Sequence, residues 1–127
     1  PGPELTRHKE VVEAFLTASR GGDFAALLEM LDPDVVFRAD EAAVKVGSRP
    51  EIRGAEAVAK SFLGRAHAAR TALIDGAVGV VVPRHGELFV VLGITIKDGR
   101  IAEINATADP ARLRALDLAV LGEETAT

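Results

Sequence analysis

The stretch LFVVLGITIKDGRIAEINATA, residues 88–108, carries the pattern that decides the fold. Apolar and β-branched residues dominate both sides of Asp98-Gly99, and an Asp-Gly pair between two such runs is the strongest short-range signal for a β-hairpin. The sequence therefore predicts two long antiparallel strands, residues 88–97 and 100–108, joined by a two-residue turn.

The residues on either side of this hairpin extend the prediction in both directions. Runs at 71–75 and 78–82 are typical of strands, and Gly76 and Gly79 within them favour a bend or bulge. Residues 83–86 indicate a turn. After the hairpin, Asp109 and Pro110 suit the cap and first position of a terminal helix. That helix is predicted to place Leu113, Leu116 and Val120 on one face, and residues 122–127 are predicted to form a polar tail.

Helical spacing of apolar residues dominates the first half of the chain. It predicts helices over residues 4–20, 24–31 and 55–69, with Gly21-Gly22 as a stop and Asp23 as an N-cap. Residues 35–39 predict a first strand, and residues 41–53, which have no clear period, predict a loop. Helices followed by a meandering sheet indicate a single α+β domain over residues 1–127, with an ordered core at about 4–121.

Composition excludes several classes of function. The chain has 127 residues, 48% hydrophobic content, no cysteine and a net charge of −4. The absence of cysteine excludes disulfides and thiolate chemistry, and the acidic balance argues against direct contact with nucleic acid. No signal peptide or membrane span is predicted, so a cytoplasmic location is expected. His8, His67 and His85 lack metal-ligand spacing, and neither a metal nor a cofactor is expected.

The order of the elements resembles the nuclear transport factor 2-like fold, a cone in which a curved antiparallel sheet wraps the first helix. Residues 11–40, VVEAFLTASRGGDFAALLEMLDPDVVFRAD, are similar to the opening of SnoaL-like domains, and residues 52–63 are similar to their third helix. In ketosteroid isomerases of this fold the general base is an aspartate just past the first strand, where Asp40 stands. The tyrosine and acid that hold the enolate correspond here to Phe15 and Leu92, so isomerase chemistry is not expected.

A central apolar pocket with a polar mouth is a further expectation. Alternation along the first strand places Val36, Arg38 and Asp40 on one face. Asn105 and Thr107 are expected either on the solvent-exposed face of an antiparallel strand or in the mouth of the cone, where they could hydrogen-bond a ligand. Asp40 and Arg38 are either solvated or ion-paired strand residues, or ligand contacts. The candidate ligand-binding residues are Phe15, Val36, Arg38, Asp40, Phe62, Asn105 and Thr107. An epoxide-hydrolase-like relay of Arg38, Asp40 and Asp75 is a weaker alternative.

Four stretches resemble the carboxyl-terminal SnoaL-like domain of extracytoplasmic-function sigma factors, at residues 7–40, 52–62, 79–104 and 106–118. That subgroup carries an Asp-Gly-Gly-Gly-Lys stretch after the first strand and an Asn-Pro-Asp-Lys-Leu stretch opening the last helix. Residues 109–113 keep residue types similar to those of the second stretch, whereas residues 40–45 keep only the charged ends of the first. The resemblance implies an interaction surface formed by Asp40, Lys45, Asp109, Pro110, Arg112 and Leu113.

Three classes of function follow from these resemblances. The first is a non-catalytic regulatory domain that contacts sigma-factor core regions or RNA polymerase. The second is a cyclase- or isomerase-type enzyme with Asp40 as its catalytic residue, and the third is a stand-alone protein that binds a small apolar ligand. A homodimer is compatible with each. Because the chain starts at Pro1 without methionine, it is expected to be an excised piece of a longer protein.

Overall fold

Helices fill the first part of the chain and strands fill most of the rest. The structure is a computed structural model that describes residues 2–65 and 67–120. The helices are α1 (Pro3–Gly21), α2 (Phe24–Met30), α3 (Glu41–Lys45), α4 (Ala55–Phe62) and α5 (Pro110–Arg114). The strands are β1 (Leu31–Ala39), β2 (Glu51–Arg53), β3 (Arg70–Ile74), β4 (Ala77–Arg84), β5 (Glu87–Lys97), β6 (Arg100–Thr107) and β7 (Leu118–Val120). The predicted α+β class is confirmed.

These strands form one mixed sheet in the order β2-β1-β6-β5-β4-β3-β7. Neighbours are antiparallel except β1 and β6, which run parallel with Arg38 opposite Asn105. The parallel pair is a departure from the antiparallel sheet expected from the sequence. It has a structural consequence, because the carboxyl ends of β1 and β6 meet at the same edge of the sheet. Asp40 follows the first of these ends and Ala108 follows the second.

Two-residue turns join three successive hairpins. Asp75-Gly76, His85-Gly86 and Asp98-Gly99 all have positive φ at both central positions, from 51° to 87°. Positive φ at both positions is characteristic of the type I′ turn, whose twist matches that of the flanking strands. The predicted turn at Asp98-Gly99 is therefore confirmed. The predicted turn at 83–86 is shorter in the structure, because Pro83 and Arg84 belong to β4.

The main core lies between the concave face of the sheet and helices α1, α2 and α4. Val12, Phe15, Val58 and Val80 are fully buried there. The Phe15 and Phe62 rings meet edge to face with centroids 5.1 Å apart. Phe37 approaches Phe62 in the same way at 5.9 Å. Aromatic pairs with this geometry gain stability beyond the area they bury, so these three rings anchor the helices on the sheet.

A second, smaller core lies on the other face of the sheet. Ala72, Val81 and Val91 are buried there against Leu113 of α5. Their neighbours along the strands, such as Val80 and Leu92, belong to the main core. Because successive side chains of a strand point to opposite faces, α5 must cover the convex side of β3, β4 and β5.

Three predicted segments differ from the structure. The predicted loop contains α3, which Asp40 caps, and β2, in which Ile52 pairs with Phe37 of β1. The predicted helix over 55–69 ends at Phe62, because the buried Ser19 hydroxyl of α1 donates to the Phe62 and Arg65 carbonyls. The terminal helix ends at Arg114, and Val120 lies in β7, which pairs with the free edge of β3. The predicted tail, 122–127, lies outside the described residues.

Candidate functional site

The Asp40 carboxylate joins three segments at the edge where β1 and β6 end. Its Oδ1 accepts a hydrogen bond from Ala43 N at 2.9 Å and so caps α3. Its Oδ2 accepts from Ala108 N at 3.0 Å and from Asp109 N at 3.1 Å, just before α5. Asp40 N also donates to the Ala106 carbonyl at 2.9 Å. The side chain therefore holds β1, α3 and the β6–α5 connection together.

These hydrogen bonds favour the charged form of Asp40. Partial burial alone raises the pKa of this carboxyl, but the backbone N–H groups of Ala43, Asp109 and Ala108 lower it, and so does the nearby Arg112 guanidinium. The net effect is a pKa below the usual value of 3.8. Donors that stabilise a carboxylate make it a weaker base. A general base works best with a pKa near the operating pH, so Asp40 is poorly suited to take a proton from a substrate.

The predicted interaction residues fall at this same edge. Lys45, Pro110 and Arg112 are exposed on α3 and α5, the two helices that the Asp40 carboxylate joins, and Asp109 caps α5 by accepting a hydrogen bond from Arg112 N at 3.0 Å. Leu113 differs, because it is buried in the second core and is not available to a partner. Val46, which the sequence did not suggest, is 53% exposed beside Lys45. We call Lys45, Val46, Pro110 and Arg112 the rim surface.

The predicted ligand-binding residues do not come together in one pocket. Phe15 and Phe62 pack in the main core on the concave side of the sheet. The alternation along β1 and β6 places the other candidates on the convex side: Val36, Arg38, Asn105 and Thr107. There Arg38 forms an ion pair with Glu103 at 2.6 Å. The residues expected to form the aromatic walls of the pocket and those expected to form its polar mouth therefore lie on opposite faces of the sheet.

The epoxide-hydrolase-like relay is also not assembled from the residues proposed for it. Asp75 lies in the β3–β4 turn, where its Oδ1 accepts from Asp117 N at 2.8 Å. Arg38 and Asp40 lie on or beside β1, and β6, β5 and β4 separate β1 from β3. Four strand spacings correspond to about 19 Å along the sheet. Asp75 therefore cannot share a hydrogen-bonded relay with Arg38 and Asp40.

Two open cavities lie elsewhere on the molecule, and none of the predicted pocket residues lines them. The first, of about 480 Å³, is lined by Glu13, Leu16, Thr17, Arg20, His67, Ala68, Ala69, Arg70, Thr71 and Pro83. We call it the α1–β3 cleft. The second, of about 600 Å³, lies between α1, Met30 of α2 and the β5–β6 turn. The sequence prediction missed the first cleft because it extended the third helix to residue 69. Gly64 and the basic run at Arg65, His67 and Arg70 are signals for a charged connection at this point.

Two further features concern residues 2–65 and 67–120. Within these ranges no three His, Cys, Asp or Glu side chains are grouped so that they could hold a metal ion. None of the helices there combines the length and the apolar character needed to cross a membrane.

Comparisons with known proteins point to one fold. No protein-family model and no curated protein matches the chain. The crystal structure of the extracytoplasmic function sigma factor SigJ from Mycobacterium tuberculosis is 25% identical, with a TM-score of 0.65 over 84% of this chain and 44% of SigJ. The chain thus spans less than half of the SigJ chain that it matches.

Two other solved structures, unlike SigJ, are matched by this chain over most of their own length. A Mycobacterium tuberculosis LEH-like epoxide hydrolase is 25% identical, with a TM-score of 0.52 over 84% of this chain and 86% of that one. An NTF-2 like protein of unknown function from Burkholderia xenovorans is 17% identical, with a TM-score of 0.55 over 91% and 98%. The chain therefore has the nuclear transport factor 2-like fold of SnoaL-like proteins, and the extracytoplasmic function sigma factor SigJ is among the proteins to which it is similar.

Proposed function

We propose that this chain is a non-catalytic regulatory domain of a sigma factor, which modulates transcription initiation through contact with the sigma core regions or RNA polymerase. The observation that carries the proposal is the similarity to SigJ. At equal identity and equal coverage of this chain, the TM-score is 0.65 for SigJ and 0.52 for the epoxide hydrolase. Only 44% of SigJ is covered, as is typical of one module within a longer protein.

The chemistry of Asp40 favours the non-catalytic alternative. An enzyme of the isomerase kind needs a free carboxylate in a pocket and donors for the oxyanion. Here the carboxylate accepts hydrogen bonds from three backbone N–H groups. Phe15, at the place of the oxyanion-holding tyrosine, is fully buried and has no hydrogen-bond donor on its side chain.

The rim surface is the part of this domain that we propose contacts the partner. Asp40 fixes α3 and α5 beside each other, so the exposed Lys45 and Arg112 and the apolar Val46 lie on neighbouring segments. The exposed Val46 beside Lys45 suits a partner surface that is partly apolar. Charges at the edge of such a contact mainly set the rate of encounter and the register.

Transcription from the target promoter of the full-length protein tests the proposal. Deleting the domain from Glu4 onward should change promoter-specific transcription in vitro, and Arg112→Glu should change it more weakly in the same direction. Arg100→Glu is the matched control, because Arg100 is also exposed but begins β6 at the opposite end of that strand. Unchanged transcription after the deletion, or a native gene without sigma regions upstream, would refute the proposal.

A small-molecule enzyme is the second candidate, and one observation favours it. The LEH-like epoxide hydrolase matches this chain over 86% of its own length, as expected for a stand-alone domain. Turnover of limonene oxide and of a Δ5-3-ketosteroid by the isolated chain distinguishes the two. We expect no activity above background, whereas turnover that Asp40→Asn abolishes would establish the enzyme in place of the regulatory domain.

A further inference from the structure

Thr71 is a polar residue in the deepest part of the α1–β3 cleft, where it is only 4% exposed. Because side chains alternate along β3, Thr71 points to the same face as Leu73 of the main core, whereas Ala72 between them belongs to the second core. Two further lining residues, Leu16 and Ala69, are apolar and each 2% exposed. We call Leu16, Ala69 and Thr71 the floor of the cleft. The floor is thus an open end of the main core that carries one hydroxyl group.

The Thr71 hydroxyl is not used to hold the described part of the fold together. It forms no hydrogen bond with residues 2–65 or 67–120. Within those ranges no polar side-chain atom is both unpaired and fully shielded from solvent, so the Thr71 oxygen must keep an opening to the cleft. The buried hydroxyl of Ser19 differs, because it donates to the Phe62 and Arg65 carbonyls. A hydroxyl that is almost buried and lacks a partner is unfavourable, and a ligand oxygen in the cleft would relieve this cost.

The charged residues of the lining lie further out than the floor. Glu13, Arg20, His67 and Arg70 are all exposed. Arg20 donates to the Ala69 carbonyl, and both arginines have interaction partners within the protein. Exposed charges add little net free energy to a contact, because water competes with and screens them. The floor therefore indicates the chemistry of a ligand better than these charges do.

The size of the cleft suits a small organic molecule. Its volume is about 480 Å³, within the usual range of about 300–1,000 Å³ for small-molecule sites. A water molecule occupies about 30 Å³, so the space is large compared with a single solvent molecule. Pro83, which is half-buried, adds apolar surface to the lining. An apolar lining with a few polar groups that orient the ligand is typical of such sites.

We propose that the α1–β3 cleft binds a small neutral organic molecule with an apolar body and one oxygen, either a ketone or an alcohol. The oxygen forms a hydrogen bond with the Thr71 hydroxyl, and the body lies against Leu16, Ala69 and Pro83. A hydroxyl both donates and accepts, so it can pair with either kind of oxygen. A carboxylate would lose hydration at this apolar floor, which disfavours an anion. The proposal does not depend on the regulatory role proposed above, since binding is measured on this chain alone.

Titration of the ¹⁵N-labelled 127-residue chain with 4-phenylbutan-2-one and with 4-phenylbutan-2-ol tests the proposal by amide chemical shifts. We expect saturable shifts centred on Leu16, Ala69 and Thr71. 4-Phenylbutyrate has a body of the same kind with a negative charge, and it should bind at least about fivefold more weakly than the ketone. No saturable shift with the ketone or the alcohol up to ~10 mM would overturn the proposal. Binding of 4-phenylbutyrate as tight as that of the ketone would overturn the choice of a neutral ligand.

A pair of valine variants tests the role of the hydroxyl. Valine keeps the β-branched shape of threonine and removes the oxygen. Thr71→Val should weaken binding of 4-phenylbutan-2-one by about fivefold, as expected for the loss of one hydrogen bond. Thr95→Val is the matched control and should leave binding unchanged, because Thr95 is exposed on β5 and β4 separates that strand from β3. Equal affinities of the two variants, with amide spectra that show the native fold, would contradict the assigned site.

Urea unfolding without ligand distinguishes a ligand-binding hydroxyl from a structural one. If the Thr71 hydroxyl is unpaired in the folded protein, its removal leaves no other group without a partner. The midpoint for Thr71→Val should therefore be no lower than that of the wild type. A lower midpoint would show that the hydroxyl forms a hydrogen bond within the protein and would overturn its assignment to a ligand.

Discussion

Replacing Asp40 with alanine tests whether this carboxylate is mainly a structural connector. The substitution removes the cap of α3 and leaves the N–H groups of Ala108 and Asp109 without their acceptor. Loss of an N-cap costs about 1 kcal/mol. Each of the two other N–H groups costs about 1 kcal/mol, near the low end of the range, because they are only partly buried and water can reach them. The expected loss in free energy of unfolding is therefore about 3 kcal/mol.

Asp23→Ala is the matched control for this substitution. Asp23 also caps a short helix, but it accepts one hydrogen bond, from Ala26 N at 3.1 Å, and is exposed. Its loss should cost about 1 kcal/mol. In a urea titration with a slope of about 1.5 kcal/mol/M, the two midpoints should fall by about 2 M and about 0.7 M. Equal shifts for the two variants would refute the assignment of Asp40 as the connector of three segments.

Three further predictions concern stability. Gly79→Ala should lower the free energy of unfolding in urea by about 1–3 kcal/mol, since a Cβ there would lie 2.6 Å from the Leu92 carbonyl oxygen. Gly93→Ala is the control and should change this free energy little, because a Cβ there would lie 3.9 Å from the Asn105 carbonyl oxygen. Ser19→Ala should cost about 1–2 kcal/mol in the same assay, because the Phe62 and Arg65 carbonyls lose their donor. Since the folded-state pKa of Asp40 is lowered, its carboxylate stabilises the fold above the unfolded-state pKa near 3.8, and this contribution should disappear as pH falls through the folded-state value. The stability difference between the wild type and Asp40→Asn should shrink accordingly between pH 7 and acid.

Local chemistry was sufficient to predict most of the elements. The Asp98-Gly99 turn, the Asp23 and Asp109 caps and the end of α1 at Gly21 each depend on a few neighbouring residues. The errors occurred where a distant partner decides the outcome. α4 stops at Phe62, whose carbonyl accepts a hydrogen bond from the Ser19 hydroxyl of α1, and residues 118–120 become a strand because β3 offers an unpaired edge.

The candidate site shows the same division. The resemblance grouped Asp40 with the start of the last helix, and in the structure the Asp40 carboxylate accepts a hydrogen bond from Asp109 N. The sequence could not show which face of the sheet each candidate side chain would occupy, and therefore which of them could line one pocket. That assignment depends on which side the helices cover, and the covered side is set by Val35 and Phe37 while Arg38 faces solvent.

Asp40 also illustrates why the position of a residue in a fold does not specify its chemistry. An aspartate at the end of the first strand can act as a base only while its oxygens are short of donors and its pKa is raised. The β6–α5 connection supplies Ala108 N and Asp109 N, and α3 supplies Ala43 N, so the charged form is favoured instead. The same hydrogen bonds hold Lys45 and Arg112 at one edge of the domain. A carboxylate that organises a surface in this way is stabilised by the interactions that make it a poor base, so a gain in one role is a loss in the other.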